Sequence, residues 1–298
     1  MTASRAVLSQ AHKFLASAKL PDLDRILPPE AVFASAKKSG FLKCNRVEAK
    51  TVLAEIWKTT QHMQGNSALQ QQQTALVANI CTAHKFAPSN FTSLALLLQP
   101  TPNSTQITTD LLNLAESLND PSAILKSAKS KITSSRSLIL IESSPIWKKL
   151  KSLANQQNIP EAYELLAETY QNAKMPPQAQ EYWTKAAAAG SGKACLIMGR
   201  QAAIIGKSDI AVEAFKQAAE LGEAEAYYEL GILQLNKGNK AESSVKEEEE
   251  EAEHNLSVAA ASGIVRAAVK LAELYKSRND LVMSEQWGNV ANEMKTLE

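Results

Sequence analysis

The sequence predicts an all-α chain: a solenoid of helix-turn-helix units behind a less regular helical N-terminal region. Three observations carry that expectation. The segments Trp183-Thr-Lys-Ala-Ala-Ala-Ala-Gly190, Phe215-Lys-Gln-Ala-Ala-Glu-Leu-Gly222 and Leu256-Ser-Val-Ala-Ala-Ala-Ser-Gly263 repeat one another. An alanine follows each glycine by four positions, at Ala194, Ala226 and Ala267. Each of those alanines opens an apolar stretch in which a bulky residue precedes a small one, as Met198-Gly199, Leu230-Gly231 and Leu271-Ala272. A pair of short helices cannot bury its apolar face alone, so such pairs stack, and the extended surface they form is suited to binding proteins.

Residues 1–21 contain no Asp or Glu, whereas Arg5, Lys13 and Lys19 are basic and Ser and Ala are frequent. At helical periodicity Val7, Leu8, Ala11, Phe14, Leu15 and Ala18 form one stripe, with Arg5, His12 and Lys19 beside one another on another face. This basic amphipathic pattern fits a mitochondrial targeting segment. A permanent first helix packed on the array has the same pattern. Lys and Arg continue at Arg25, Lys37, Lys38, Lys43, Arg46 and Lys50, so composition does not place a cleavage point.

Residues 22–104 form the helical N-terminal region. Val52, Leu53, Ile56 and Trp57 predict a helix over 46–63, closed by a turn at Gly65-Asn66. Leu69, Leu76, Val77 and Ile80 predict a second over 68–86, on which the tract Gln70–Gln73 is expected to be a solvated face. Pro100-Thr-Pro-Asn-Ser-Thr105 marks a boundary. Residues 105–160 resume the pattern with Leu111, Leu112, Leu114, Ala115 and Leu118, then open a degenerate repeat at Asp120-Pro121-Ser122-Ala123. Asp is expected to cap it and Pro to occupy its first turn. Its partner helix would carry Trp147, Leu150 and Leu153.

Residues 161–298 hold the regular array. The first unit, Glu161 to Gly190, and the second, Lys193 to Gly222, have equal length. The third, Glu225 to Gly263, is longer, and its excess, Ser243 to Glu251, reads as an acidic loop inserted between its helices. The fourth begins at Arg266 and carries Trp287, Val290 and Ala291. Trp183, Phe215 and Leu256 are expected in the core. Small residues recur because a close helix crossing leaves no room for Leu.

These units resemble Sel1-like repeats, the variable-length relatives of tetratricopeptide repeats. The resemblance rests on Glu161-Ala-Tyr with Trp183-x-Lys-Ala-Ala, Met198-Gly199 with Phe215-x-x-Ala-Ala-x-x-Gly222, and Ala226-Tyr-Tyr-Glu-Leu-Gly231. It covers about 161–295 clearly and 105–160 weakly. It implies a right-handed α-solenoid serving as an adaptor or assembly surface, and some family members assist membrane-complex biogenesis in the endoplasmic reticulum or mitochondria. Ala167 and Ala272 replace the family's glycine in the first and last units, and the acidic insertion is not a family hallmark. No regular Lys and Asn set resembles the clamp by which some tetratricopeptide proteins hold chaperone tails.

Composition narrows the function. Residues 1–150 hold 17 Lys and Arg against 9 Asp and Glu, and residues 151–298 hold 15 against 22, for a net charge of +1. That asymmetry can orient the chain on a partner but gives no overall attraction to nucleic acid. The longest apolar run, Leu94 to Leu98, is far below the roughly 18 residues of a membrane span; peripheral membrane association stays open. Cys44, Cys81 and Cys195 lack redox or zinc spacing. Gly190-Ser-Gly-Lys-Ala194 has Ala187 where a phosphate loop needs glycine and Ala194 where it needs Ser or Thr, so a turn is expected. Cys81 and His84 lie one helical turn apart without a second ligand pair, and the scattered His12, His62, His84 and His254 offer no triad.

No catalytic, cofactor or metal residue is therefore assigned. Tyr163, Glu164, Glu168, Tyr227, Tyr228 and Glu229 are the candidate protein-binding groove, the competing account being that the tyrosines pack between repeats. Glu247, Glu248, Glu249, Glu250 and Glu251 are the candidate acidic contact loop for a basic partner segment, the competing account being a solvated insertion. The expected function is a non-enzymatic mitochondrial adaptor for protein clients. A cytosolic or nuclear scaffold with an uncleaved N-terminus, and a catalytic helical domain over about 30–100 with a recruiting repeat module, are the alternatives.

Overall fold

A computed structural model describes residues 22–60, 67–98, 105–135, 137–238 and 245–296. Seventeen helices and no strand occur among them. The chain divides into two compact lobes at Leu150 and Lys151. The targeting-segment expectation and the turn at Gly65-Asn66 lie outside the described residues.

In the first lobe α1 (Leu23–Ile26), α2 (Glu30–Lys38), α3 (Arg46–Thr60), α4 (Ser67–Ala83), α5 (Ser89–Leu98), α6 (Thr105–Ser117), α7 (Pro121–Ser134) and α8 (Leu138–Glu142) precede α9 (Pro145–Gln157), which contains the division. Val52, Leu53, Ile56 and Trp57 are buried as their spacing predicts, and the first three share one core with Phe33, Phe91 and Leu94. Helices α2 and α5 go beyond the sequence reading, which left 30–38 unassigned and took 94–98 only as an apolar run. Gln73, expected in solvent, is buried at 7% exposure, because α4 turns this end of the glutamine tract inward. Asp120 caps α7 as expected: its Oδ2 accepts from the Ala123 amide at 3.0 Å and from the Thr92 hydroxyl at 2.7 Å. Trp147, Leu150 and Leu153 are all buried on α9.

The second lobe is the repeat array. Its helices are α10 (Pro160–Asn172), α11 (Pro176–Ala188), α12 (Gly192–Ile204), α13 (Ser208–Glu220), α14 (Ala224–Gly238), α15 (Val245–Ala261), α16 (Val265–Ser277) and α17 (Leu281–Thr296). They pack as four hairpins, α10 with α11, α12 with α13, α14 with α15 and α16 with α17, and each second helix packs on the next unit's first.

The repeated Ala-Ala-x-x-Gly motif is a helix stop. Gly190, Gly222 and Gly263 take φ of +93°, +91° and +94°, a left-handed conformation that favours glycine. The following amide then reaches back five residues, Ser191 to Ala186, Glu223 to Ala218 and Ile264 to Ala259, at 2.9–3.0 Å. These bonds satisfy carbonyls that the helix end would otherwise leave unpaired. The supposed phosphate-loop segment is one of these turns, with the Ser191 hydroxyl accepting from the Ala194 amide at 2.9 Å.

Trp183, Phe215 and Leu256 are fully buried, as expected. A Cβ on Gly199 would lie 2.6 Å from Phe215 ring carbons, and one on Gly231 would lie 2.7 Å from Leu256 Cγ. Phe215→Ala is expected to cost about 3–5 kcal/mol and Gly199→Ala about 1–3 kcal/mol through overpacking. Gly288, mid-helix with open space beside it, behaves oppositely: Gly288→Ala should add about 0.5–1 kcal/mol. Urea titrations of the three variants check all three signs.

Candidate protein-interaction surface

The first helices of the four units, α10, α12, α14 and α16, are joined side to side by polar contacts. Each opens on a charged residue, and the sign alternates: Glu161, Lys193, Glu225 and Arg266. Between the first two units Glu168 accepts from Lys193 Nζ at 2.5 Å and Glu164 from the Ser191 hydroxyl at 2.6 Å. Arg200 on α12 then grips two carboxylates of α14, Glu229 at 2.8 Å and Glu225 at 2.5 Å. Glu225 also pairs with Arg266 at 3.4 Å, carrying the ladder to the fourth unit.

The candidate groove residues divide accordingly. Glu164, Glu168 and Glu229 belong to this ladder. Tyr228 is half-buried under the Arg266 guanidinium, 4.9 Å from its ring centre, a cation–π contact. Tyr227 packs against the cores of two successive units. Tyr163 is buried beside Tyr182, which stacks on Tyr170 with centroids 5.4 Å apart; it packs between helices and offers no ring to a ligand. Ser191, Lys193, Arg200, Glu225 and Arg266 were missed by sequence reasoning. For Lys193, Glu225 and Arg266 the signal was the alternating charge at one repeat position; Ser191 and Arg200 carry no such mark.

The acidic run corrects the sequence reading. Glu247 to Glu251 are helical, in the opening turns of α15, which begins earlier relative to its core residue than the other second helices do. Two things favour this over a loop: glutamate is a good helix former, and carboxylates are stabilised near a helix N-terminus. Arg278 adds a third, donating to Glu249 at 3.0 Å and to Glu253 at 2.6 Å. Glu251 accepts from the Gln234 amide at 2.6 Å. No described Lys or Arg pairs with Glu250 or Glu251.

Burial pushes the Glu164 carboxyl above its ordinary range, against the opposing Ser191 hydrogen bond and Lys193 charge. Burial acts upward on Glu253 too, but hydrogen bonds from Tyr275 and Arg278 outweigh it and hold that carboxyl low. The same contact pushes the Tyr275 hydroxyl up to about 12. Burial raises the thiols of Cys44 to about 12 and Cys81 to about 11, so neither is an activated nucleophile. His84 pairs with Glu55 at 2.6 Å. Among the described residues no helix is long and apolar enough to cross a membrane.

Solved structures resemble this architecture. A Sel1 repeat protein from Oxalobacter formigenes matches with a TM-score of 0.55 at 18% identity, over 74% of this chain and 94% of that one. A protective antigen of uropathogenic Escherichia coli with an SLR fold matches with a TM-score of 0.54 at 21% identity, over 83% of this chain and 59% of that one. No protein-family model and no curated protein sequence matches. The chain has the fold of Sel1-like repeat proteins.

Two pH dependences follow from these shifted carboxyls. The folded chain holds the Glu164 proton to higher pH than the unfolded chain, whose carboxyl titrates near 4.5. Stability from this group therefore falls as pH rises above 4.5. Glu164→Gln, which keeps an acceptor for Ser191, should be no less stable than the parent at neutral pH and should lack that decline. Glu253 behaves oppositely, its contribution being present above 4.5 and lost as pH falls through the lower folded value. Glu253→Gln should cost about 1 kcal/mol at neutral pH, a difference that narrows on acidification. Thermal melts across the acid range separate the two.

Proposed function

We infer that this protein is a non-enzymatic adaptor that holds a protein client during assembly of a larger complex in mitochondria. One observation carries the binding reading: four first helices share a face whose side chains are fixed to one another by the Glu168–Lys193, Arg200–Glu225–Glu229 and Glu225–Arg266 contacts. A surface ordered before binding loses little side-chain freedom when a client docks, which favours affinity without large conformational change. Tyr228 and the exposed Val269, at the same position of neighbouring repeats, supply apolar contact within that face.

The non-enzymatic part is supported by the inert environment of Cys44 and Cys81 and the engagement of the groove glutamates in inter-repeat contacts. The mitochondrial part rests on the acid-free, basic amphipathic residues 1–21.

Fractionation of cells expressing a C-terminally tagged full-length chain, with the mature N-terminus read by mass spectrometry, tests location. Loss of the basic segment in a mitochondrial fraction is expected; an intact Met1 or Thr2 end in the cytosol would remove the mitochondrial part. Cross-linking in the same cells tests binding. Tyr228→Ala with Val269→Ala should lower client recovery at least fivefold at unchanged helicity, and full retention would move the client off this face.

A further inference from the structure

Among the described residues every second helix of the array except α17 is covered by the first helix of the following unit. The covered positions recur. Four residues before Trp183, Phe215 and Leu256 stand Ala179, Ala211 and Ala252, and three residues after them stand Ala186, Ala218 and Ala259. All nine are at most 5% exposed. At the same places α17 carries Met283, Trp287 and Val290, and Met294 stands where the other second helices have their stop glycine. None of these four is fully buried, and Val290 is 38% exposed.

A repeat array stays soluble by closing on a polar outer face. Helix α17 does the reverse, since alanines give way to larger apolar side chains at the positions that a following unit would cover. Met283, Trp287, Val290 and Met294 are spaced by four, three and four residues along one continuous helix. That is the seam of a two-helix coiled coil. Trp287 and Met294 pack against the core of the fourth unit, which fixes the inner border of the seam. Gln286 and Glu293 flank its outer border and are exposed.

The interior junctions decide how a second copy can reach this face. A head-to-tail copy would lay α10 on α17 as α12 lies on α11. Ala162, which corresponds to Ala194, is already 0% exposed and has no surface left to offer. The polar ladder opposes that arrangement as well. It runs from the residue six after this alanine to the residue before the next such alanine, as in Glu168 to Lys193 and Arg200 to Glu225. Continued head to tail, it would set Glu273 against Glu161.

We propose that α17 is an isologous dimer interface, two copies of the chain pairing their α17 helices antiparallel about a two-fold axis between Gly288 and Asn289. This register sets Met283 opposite the partner's Met294 and Trp287 opposite the partner's Val290, a large side chain against a smaller one in the central layers. It also sets Gln286 beside the partner's Glu293, an amide donor beside a carboxylate. The seam itself carries no charge to select a foreign helix, whereas it is complementary to its own copy. A helix of this length spans about 24 Å. The contact is therefore at the small end of specific interfaces, and a dimer of micromolar affinity is expected.

Sedimentation equilibrium of the full chain at up to about 100 µM tests this. A reversible monomer–dimer equilibrium is expected. Val290→Glu should abolish the dimer at unchanged helicity, because Val290 is exposed in the single chain. Gln286→Lys should tighten the dimer about fivefold, since the two-fold axis makes two new pairs with Glu293, and should render it salt-sensitive. Gln286→Glu should weaken it by a similar factor. A chain that stays monomeric, association that continues past the dimer, or a dimer indifferent to Val290→Glu or to both Gln286 variants would overturn the proposal. A monomer that cross-links in cells to another protein through a photoreactive residue at position 290 would overturn it in favour of a foreign helix. Client recovery with Tyr228→Ala and Val269→Ala uses different residues, so each reading stands or falls on its own result.

Discussion

The close approach of the two helices within each hairpin sets the geometry of the whole array. At Gly199 and Gly231 the first helix gives up its side chain, and Phe215 or Leu256 from the second helix fills the space. Volume is moved from one helix to the other while the backbones come together. The same economy recurs between hairpins, where the fully buried Ala186, Ala218 and Ala259 on the second helices sit under the next unit. Only because these crossings are tight do the charged residues of neighbouring first helices come within hydrogen-bonding reach. The ladder from Glu168 to Arg266 is thus a consequence of alanine and glycine placement in the core.

That ladder contributes more to order than to stability. Its members are partly exposed, and each pair is worth little against solvent screening. The alternation of sign has a specific effect all the same. Lys193 meets Glu168, and Arg200 and Arg266 meet Glu225, in the correct sequence of units, whereas skipping a unit sets Lys193 beside Arg266. Repeat arrays have near-identical cores, so an incorrectly docked hairpin loses little burial, and like-charge contacts are what discriminate against it.

How much could be read from the sequence follows the same physics. The helix stops were legible because Gly190, Gly222 and Gly263 occupy a backbone region that selects glycine, and Trp183, Phe215 and Leu256 because a repeated core position leaves a periodic mark. Helices α2 and α5 were not legible: they are short, unrepeated and defined by packing within the first lobe. The run Glu247–Glu251 was read as a loop from self-repulsion alone. Its helical state depends on propensity, on the helix terminus and on Arg278, a residue far along the chain. Tyr163 shows the complementary failure: an aromatic ring at a helix start suits a groove and a core equally until the stacked Tyr170 and Tyr182 place it inside.

Charge pairing in the second lobe sets what its first-helix face can recognise. On the first-helix face, Glu168 and Glu229 already have cationic partners and Glu164 has the Ser191 hydroxyl, with burial raising its carboxyl. A client docking there meets a rigid, largely neutralised relief, and recognition by shape and apolar contact follows. The extra turn of α15 lengthens the third hairpin without interrupting the array, because Arg278 of the fourth unit meets Glu249 and Glu253 and ties the longer helix to its neighbour.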